Sequence, residues 1–283
     1  MKVGIVILNY NDYENTNNFV NLIKNYKCLN EIIIVDNNSS DNSYELLKKL
    51  ESKHVTILKN ETNSGYGAGN NIGLRYLKDK CDIVMISNPD IEVQEAVINN
   101  IIQTFEENKE IAVLAPTIYE LGKISKGWKV PTFWNDLFEN LMFLHRFSSN
   151  IFGYKENHYQ GELTEVEVVK GCFFAIRYDI FEKVGFFDEN TFLYYEENIL
   201  GKKLKDEKKK TYILNQEEVV HALSQSVNKS LNSLKKYKIL KTSQLYYQKH
   251  YNHLNIVGRA ILICAWKISY FGSYIYLKLR GVK

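Results

Sequence analysis

The sequence has no uninterrupted apolar run of about 18 residues, the length that a membrane-spanning helix needs. Its apolar start, MKVGIVILNYN, is too short for a signal-peptide core and has no small-residue cleavage site. The cysteines are few and scattered, without the spacing of a metal site or a disulfide framework: Cys28, Cys81, Cys172 and Cys264. These absences predict a cytoplasmic protein in a reducing compartment.

An excess of charge of one sign is also missing, since 36 basic residues face 33 acidic ones and the net charge is +3. This balance gives no reason to expect a nucleic-acid partner. The basic residues are nevertheless concentrated in the last third of the chain. With 283 residues and a hydrophobic fraction of 45%, the chain can bury one substantial core.

In the first third of the chain, short β-branched apolar runs alternate with segments whose apolar residues recur at helical spacing. Residues 4–8 have the composition of a strand buried on both faces, and residues 31–35, 55–58 and 82–86 are predicted to be further strands. Apolar residues at helical spacing follow the first two of these runs. The pattern predicts an α/β fold with a mainly parallel, doubly wound sheet flanked by helices.

The pattern loosens beyond about residue 115. One apolar stripe at helical spacing predicts a helix packed in the core: Trp134, Leu137, Phe138, Leu141 and Met142. Residues 166–176 resemble one or two strands broken at Gly171. From about residue 230 the spacing is helical to the end, which predicts a C-terminal helical extension.

Polar clusters follow three of the predicted strands. They are Asn9-Tyr10-Asn11, Asp36-Asn37-Asn38 and Asn88-Pro89-Asp90. Any one cluster could simply form a turn. Because parallel strands place their carboxyl ends at one edge of the sheet, three clusters together predict a polar ligand pocket there.

A glycine-rich segment runs from Asn63 to Gly73. It lacks the third glycine of a dinucleotide fingerprint, follows a later strand than that motif requires, and has no Lys-Ser/Thr of a Walker loop. A Rossmann-type oxidoreductase is therefore disfavoured. A glycine loop that opens a helix still offers backbone N–H groups to an anion or a nucleobase.

Asp90 is the candidate metal ligand. A carboxylate just past a strand end can hold Mg²⁺ or Mn²⁺ against a diphosphate, with Asn88 as a neutral neighbour. The alternative is an ordinary Asn-Pro turn. His221 follows a strand-like stretch and would reach the same edge of the sheet, although a lone histidine is more often structural. His250 and His253 have no nearby acid and are predicted to lie on the surface.

Adjacent carboxylates occur at Glu196 and Glu197, at the start of a predicted helix and directly after aromatic residues. The helix dipole would stabilise them there without any catalytic role. The aromatic neighbours would also desolvate a carboxylate and adapt it as a general base.

Taken together, these segments resemble the inverting family-two glycosyltransferases of the GT-A fold, in particular their rhamnosyltransferase-like and galactofuranosyltransferase-like branch. VGIVILNYN, VDNNSSDNS, NETNSGYGAGNNIG, ISNPDIEV, VGFFDENTFLYYEEN and VVHALSQS occur in the family's order over residues 3–226. An ordered set is far more specific than any single member.

The resemblance implies a role for each motif. Asn9, Tyr10 and Asp36 would hold the nucleotide, and the loop from Asn63 through Gly65 to Asn70 would close over it. Asn88 and Asp90 would form this chain's version of the D-x-D motif, with Asp90 on Mg²⁺ or Mn²⁺. His221 would assist at the metal or diphosphate, and Gly171 would lie near the donor sugar.

The catalytic segment departs from the family pattern Glu-Asp-x-Asp-Leu, since this chain reads Glu196-Glu197-Asn198-Ile199-Leu200. Glu197 matches the usual base with one more methylene, and Ile199 replaces the second aspartate. We expect Glu197 to be the base and Glu196 to serve a structural role.

The implied reaction is a metal-assisted, inverting transfer of a sugar from a UDP- or dTDP-linked donor to a glycan or lipid-linked glycan in surface polysaccharide synthesis. A catalytically weak or inactive nucleotide-sugar-binding module is the alternative, motivated by Ile199. We expect a catalytic domain at residues 1–228, with a nucleotide-binding part to about 115 and an acceptor part beyond it. The basic, aromatic extension at 229–283 would either pack on this domain or lie on the anionic inner face of the cell membrane.

Overall fold

The computed structural model describes residues 1–141, 153–222 and 233–279. Within these ranges, ten strands form a single sheet. The strands are β1 (Val3–Asn9), β2 (Glu31–Asp36), β3 (Val55–Lys59), β4 (Ile83–Ser87), β5 (Ile91–Glu92), β6 (Ile111–Glu120), β7 (Lys123–Ser125), β8 (Leu163–Val166), β9 (Phe173–Arg177) and β10 (Lys210–His221).

The main strand order is β3-β2-β1-β4-β9-β6-β10-β5, with β7 on β6 and β8 on β10. Strands β3, β2, β1 and β4 are parallel neighbours. β9 runs antiparallel between β4 and β6, and β10 is parallel to β6. Six strands therefore point the same way, so that β1, β2, β4, β6 and β10 bring their carboxyl ends to one edge of the sheet.

Nine α-helices lie within the described ranges. They are α1 (Tyr13–Ile23), α2 (Ser43–Leu47), α3 (Tyr66–Tyr76), α4 (Glu95–Glu107), α5 (Phe133–Asn140), α6 (Tyr178–Lys183), α7 (Glu196–Asp206), α8 (Ser233–His250) and α9 (Ile256–Leu279). Two apolar clusters cover the two faces of the sheet. One contains Ile5 and Ile7 of β1, and the other contains Val6 from the same strand. This alternation is the period-two pattern of a strand buried on both faces.

The C-terminal helices pack on the rest of the molecule. Tyr247 and Gln248 of α8 are fully buried, and the Tyr247 hydroxyl donates to the Pro131 carbonyl at 3.0 Å. Helix α9 buries Leu262, Ala265 and Ser269 and contacts α5. The predicted C-terminal helical extension is confirmed. In the described part of the chain, no helix is long and apolar enough to cross a membrane.

The predicted apolar stripe of α5 is not its buried face. Trp134 is 56% exposed, whereas Asp136 and Asn140 are almost fully buried. The reason is tertiary, because polar side chains of α8 hydrogen-bond to both buried residues. Met142 lies outside the described residues. The predicted break at Gly171 is confirmed, since this residue lies between β8 and β9.

Candidate active site

One large cavity, of about 1120 Å³, opens at the carboxyl edge of the sheet. The walls come from the loops that follow the parallel strands and from α5, α7 and α8. Nine of the sequence-predicted site residues line it: Tyr10, Asn63, Gly65, Asn88, Asp90, Gly171, Glu196, Glu197 and His221. The sheet topology thus brings together residues up to about 200 positions apart in the sequence.

Asn9 and Asp36 are strand-end residues that lie beneath the cavity rather than in its lining. Both are fully buried, and the Asn9 amide donates to Asp36 Oδ1 at 2.8 Å. The Ser39 hydroxyl donates to the same oxygen at 2.6 Å, and the Thr16 hydroxyl donates to Asn9 Oδ1 at 2.8 Å. This network holds together the loops that carry Tyr10 and Asn37, which do line the cavity.

The glycine-rich loop is held against the segment before α7. Gly65 has φ +89°, and a Cβ there would come within 2.2 Å of the Phe192 carbonyl oxygen. The Tyr66 N–H donates to that same carbonyl at 2.9 Å. Asn63 Oδ1 accepts from the Asn37 amide at 3.0 Å. Only glycine fits this contact, which holds the loop against Phe192 in the cavity wall.

Asn70, predicted to belong to this loop, lies in the first turns of helix α3. Its side chain is fully buried, and its Nδ2 donates to the Tyr66 carbonyl at 3.0 Å. Asn70 is absent from the cavity lining.

A row of alternating charges crosses the floor of the cavity. His221 Nε2 lies 3.2 Å from Asp90 Oδ1, and His221 Nδ1 lies 3.0 Å from Glu120 Oε2. The other oxygen of Glu120 forms an ion pair with Lys170. Lys170 also lines the cavity. The carboxyl ends of β6 and β10 supply Glu120 and His221, which explains why they meet.

Two opposing effects set the pKa of His221. Burial disfavours the imidazolium, but hydrogen bonds to Asp90 and to Cys172 outweigh it and raise the pKa to about 9. Burial also lowers the pKa of Lys170. The row is therefore a built electrostatic element, with each charge held by the next.

The chemistry of Asp90 and His221 suits a divalent cation. Both ring nitrogens of His221 are engaged by carboxylates in this structure, Nε2 by Asp90 and Nδ1 by Glu120. A cation between Asp90 and His221 would take the place of the Nε2 proton, while Glu120 would keep the other nitrogen oriented, an arrangement typical of metal-binding histidines. In residues 1–141, 153–222 and 233–279, no group of three or more His, Cys, Asp or Glu side chains could hold a metal by itself. The pair fits a cation that takes its other ligands from phosphate and water.

The adjacent carboxylates at the start of α7 have different surroundings. Glu196 is 3% exposed, and its Oε1 has no hydrogen-bond partner. Glu197 borders the cavity and accepts the Gly171 N–H at 3.3 Å. Trp128 holds the next residue, since its Nε1 donates to Asn198 Oδ1 at 2.7 Å.

Burial raises the pKa of both carboxyls, with the Glu197 charge as a further cause for Glu196, whose pKa lies well above its usual range. Backbone N–H groups, including that of Gly171, and the charge of Lys170 partly offset this effect at Glu197. Glu196 therefore holds a proton more firmly than Glu197, so that Glu197 is the carboxyl that ionises first.

Two left-handed residues precede this pair. Tyr194 has φ 71° and Tyr195 has φ 73°, a conformation that is costly for bulky side chains. The Tyr195 hydroxyl donates to Asp136 Oδ1 at 2.5 Å, and Gln248 donates to the other oxygen of Asp136 at 2.6 Å. Helices α5 and α8 thus hold Tyr195, the residue directly before α7, in place.

Ile199, where the family pattern has a second aspartate, is fully buried. It packs in one apolar cluster with Tyr195 and Tyr247. In this chain the position therefore contributes to the contact between α7 and α8.

Sequence reasoning missed Glu120, Lys170, Asp136 and Tyr195. Glu120 carries the signal that identified the other strand ends, since it closes an apolar run at residues 111–118. Asp136 has no such signal, because a buried aspartate in a helix is indistinguishable in sequence from an exposed one.

This architecture, a mainly parallel sheet with a carboxylate pair and an Asp-His pair at its carboxyl edge, is typical of α/β proteins that bind a ligand at that edge. Residues 4–185 match the family model of glycosyl transferase family 2, and the chain belongs to this family. The matched region includes the glycine loop, Asp90 and Gly171 and ends before Glu196.

Curated relatives agree with this assignment. The chain is 28% identical over 197 residues to a low-salt glycan biosynthesis hexosyltransferase, Agl10, of Haloferax volcanii, which covers 69% of this chain and 59% of that protein. It is 28% identical over 116 residues to a dolichol-phosphate mannosyltransferase of Pyrococcus furiosus, covering 40% of this chain and 32% of the relative. The chain spans less than two thirds of either relative.

Solved structures share the fold. GalNAc-T7 with UDP, GalNAc and Mn²⁺ matches with a TM-score of 0.63 at 14% identity, over 98% of this chain and 57% of that one. Staphylococcus aureus TarS residues 1–349 match with a TM-score of 0.58 at 13% identity, over 96% and 72%. The Pyrobaculum calidifontis mannosyltransferase PcManGT with GDP-Man and Mn²⁺ matches with a TM-score of 0.59 at 11% identity, over 98% of this chain and 75% of that one. The predicted GT-A type fold is confirmed.

Proposed function

We propose that this protein is an inverting glycosyltransferase that moves a sugar from a UDP- or dTDP-linked donor to a glycan or lipid-linked glycan in surface polysaccharide synthesis. The observation that carries the proposal is that one cavity is shared by the Glu196-Glu197 pair and by the Asp90-His221 pair. An acceptor base and a diphosphate site must face each other across the donor sugar, and this cavity is large enough to hold both partners.

Residues at the donor end would bind the nucleotide diphosphate. Tyr10, Asn63 and Gly65 surround the position for the base and ribose, with Asn9 and Asp36 supporting them from below. Asp90 and His221 would hold Mg²⁺ or Mn²⁺, and the bound cation would offset negative charge on the departing diphosphate. Lys170, held by Glu120, adds a fixed positive charge at the same place.

Glu197 would accept the proton of the acceptor hydroxyl. That oxygen then attacks the anomeric carbon from the face opposite the diphosphate, the bond from this carbon to the diphosphate oxygen breaks, and the configuration inverts. Glu196 is the weaker candidate for this role, because burial and the neighbouring Glu197 charge raise its pKa well above its usual range. A single ionised carboxylate therefore suffices as general base.

The proposal is tested with a thermal-shift panel of nucleotide sugars, with and without Mn²⁺, on wild type and on Asp90→Ala. We expect a metal-dependent shift with a UDP- or dTDP-sugar in wild type and its loss in the variant. Asp82→Asn is the matched control. Asp82 directly precedes β4, at the end of the strand opposite Asp90, and accepts the Lys2 N–H at 2.6 Å.

A donor shift that is independent of metal and unchanged in Asp90→Ala would contradict the metal site. Product analysis then separates the enzyme from the alternative, a nucleotide-sugar-binding module. Donor binding with neither transfer nor donor hydrolysis across a set of glycan acceptors would favour the binding module.

A further inference from the structure

The C-terminal helices carry a surface feature that the glycosyl-transfer site does not use. Helix α9 exposes large apolar side chains along one face: Ile256 at 76%, Val257 at 67%, Ile261 at 45%, Ile268 at 68% and Phe271 at 65%. Their spacing places them together on a helix surface. The opposite face of α9 is packed on the protein.

Charge in this part of the chain has one sign. Eleven of the 36 basic residues and none of the 33 acidic residues lie after Glu218. The first 218 residues therefore have an acidic excess, so the near-zero net charge of the whole chain conceals a strongly basic C-terminal segment. Such a segment is attracted to anionic surfaces within a Debye length.

A groove of about 450 Å³ lies between α8 and α9, beside the exposed face. Lys249 and His250 of α8 and Arg259 of α9 line it, and Leu245, Ile256 and Ile263 form apolar walls. The Nε of Arg259 is buried without a hydrogen-bond partner. No acidic side chain from the described residues lines this groove. Basic groups above apolar walls match a phosphate attached to hydrocarbon.

Specific contacts hold the turn that joins α8 to α9, beside the groove and the exposed face. Asn255 caps α9, its Oδ1 accepting the Gly258 N–H at 2.9 Å. His250 stacks on Tyr246 with ring centroids 4.4 Å apart, and the Tyr246 hydroxyl donates to Asp188 at 2.9 Å. These contacts fix the turn between α8 and α9, so that the basic groups and the apolar face are presented side by side.

We propose that this α8–α9 surface docks on a membrane of anionic phospholipid, with the exposed face of α9 in the acyl boundary and a lipid phosphate in the groove. A second copy of the chain is the other conceivable occupant of an apolar face. Charge decides against it, because two acid-free, basic segments repel each other and offer no complementary ion pairs. The inference is independent of the donor chemistry.

The test is co-sedimentation of the full chain with phosphatidylcholine vesicles, with and without phosphatidylglycerol. We expect binding only to the anionic vesicles. Lys249→Gln/Arg259→Gln should weaken it about tenfold or more, since a basic residue near an anionic surface contributes about fivefold. Lys49→Gln/Lys53→Gln, which removes two exposed lysines near the far edge of the sheet, should bind like wild type.

The apolar contribution is tested separately. Ile268→Ser/Phe271→Ser should also lose vesicle binding, whereas Leu121→Ser/Ile124→Ser, which removes exposed apolar residues elsewhere, should not. Circular dichroism melts check folding. If Arg259→Gln unfolds the chain, Lys249→Glu at an exposed position supplies the same test by charge reversal.

Three results would overturn the proposal. The first is equal binding to neutral vesicles, or binding unaffected by the groove variants. The second is a dimer that Ile268→Ser/Phe271→Ser dissociates while vesicle binding is absent, which would make the face a homodimer interface. The third is stabilisation by inorganic phosphate that needs Lys249 and Arg259, without vesicle binding, which would make the groove a soluble-anion site.

Discussion

Gly171 and Glu197 touch in a way that only glycine permits. The Gly171 N–H donates to Glu197 Oε1 at 3.3 Å, and a Cβ at position 171 would lie 2.7 Å from that oxygen and 2.9 Å from Glu197 Cγ. The strand-break loop before β9 and the start of α7 are thereby locked together. The carboxylate proposed as the base has its position set by a residue without a side chain.

Gly171→Ala should therefore displace the Glu197 carboxylate without removing it. A shift of about 1 Å in a catalytic group can cost up to about 10²-fold in rate, so we expect transfer to fall by about tenfold or more while donor binding survives. Steady-state kinetics and donor thermal shifts measure the two effects. In a Glu197→Gln background the same change should add little, because residues that act through each other are not additive. Additive losses would mean that Gly171 acts elsewhere.

Glu197→Gln should keep the metal-dependent donor shift and lose transfer by about 10²–10⁴-fold, the usual contribution of a general base. Glu196→Gln should retain more activity, because burial and the neighbouring Glu197 charge raise the pKa of Glu196 and glutamine preserves the shape of its protonated form. Comparing kcat of the two variants is the measurement. The reverse ranking would assign the base to Glu196, and near-normal rates in both would refute the mechanism.

Glu120→Gln should loosen His221 without touching the donor directly. Loss of a carboxylate that orients a metal-binding histidine typically lowers metal affinity by about 10- to 100-fold. Titration of Mn²⁺ in the presence of donor should show this shift. Glu218→Gln is the control and should titrate like wild type, since Glu218 lies three residues before the end of β10, opposite Thr117 of β6. An unchanged Mn²⁺ midpoint in Glu120→Gln would show that the Glu120–His221 contact is structural.

Asp136 should make stability depend on pH. Burial raises its pKa to about 7 despite hydrogen bonds from Tyr195 and Gln248, whereas an unfolded aspartate titrates near pH 4. Between about pH 4 and pH 7 the folded state binds the extra proton, so this residue's contribution to stability falls as the pH rises. Thermal midpoints across this window should decline less in Asp136→Asn than in wild type. Parallel pH profiles for the two proteins would place the pKa of Asp136 in its ordinary range.

The first four strands could be predicted to within one residue at each end, because each is a short, mainly apolar run between polar segments, and β1, β2 and β4 are buried on both faces. The clusters after β1, β2 and β4 could be assigned to one edge on the same basis. The distinction between Tyr10, which lines the cavity, and Asn9, which lies beneath it, could not. Adjacent residues at a strand end point in opposite directions, and the register of that alternation depends on the packed sheet.

Contacts between segments far apart in the chain could not be predicted from the sequence either. Glu120 meets His221 across 101 positions because β6 and β10 pair in parallel, and their register shifts between Leu214 and Glu218. No periodicity in the sequence encodes that irregularity. The buried polar face of α5 was missed for a similar reason, since Asp136 becomes an interior residue only when α8 supplies Gln248.

Asp136 accepts hydrogen bonds from Tyr195 and Gln248 and so links three segments that lie far apart in the chain. Tyr195 and its strained neighbour Tyr194 lead directly into the carboxylate helix, but the glutamine that completes their support is made some fifty residues later. All ten strands of the sheet precede Gln248 in the chain, whereas the support of Glu196 and Glu197 is complete only with that residue. The positions of Glu196 and Glu197 therefore depend on a helix that follows the rest of the cavity in the chain.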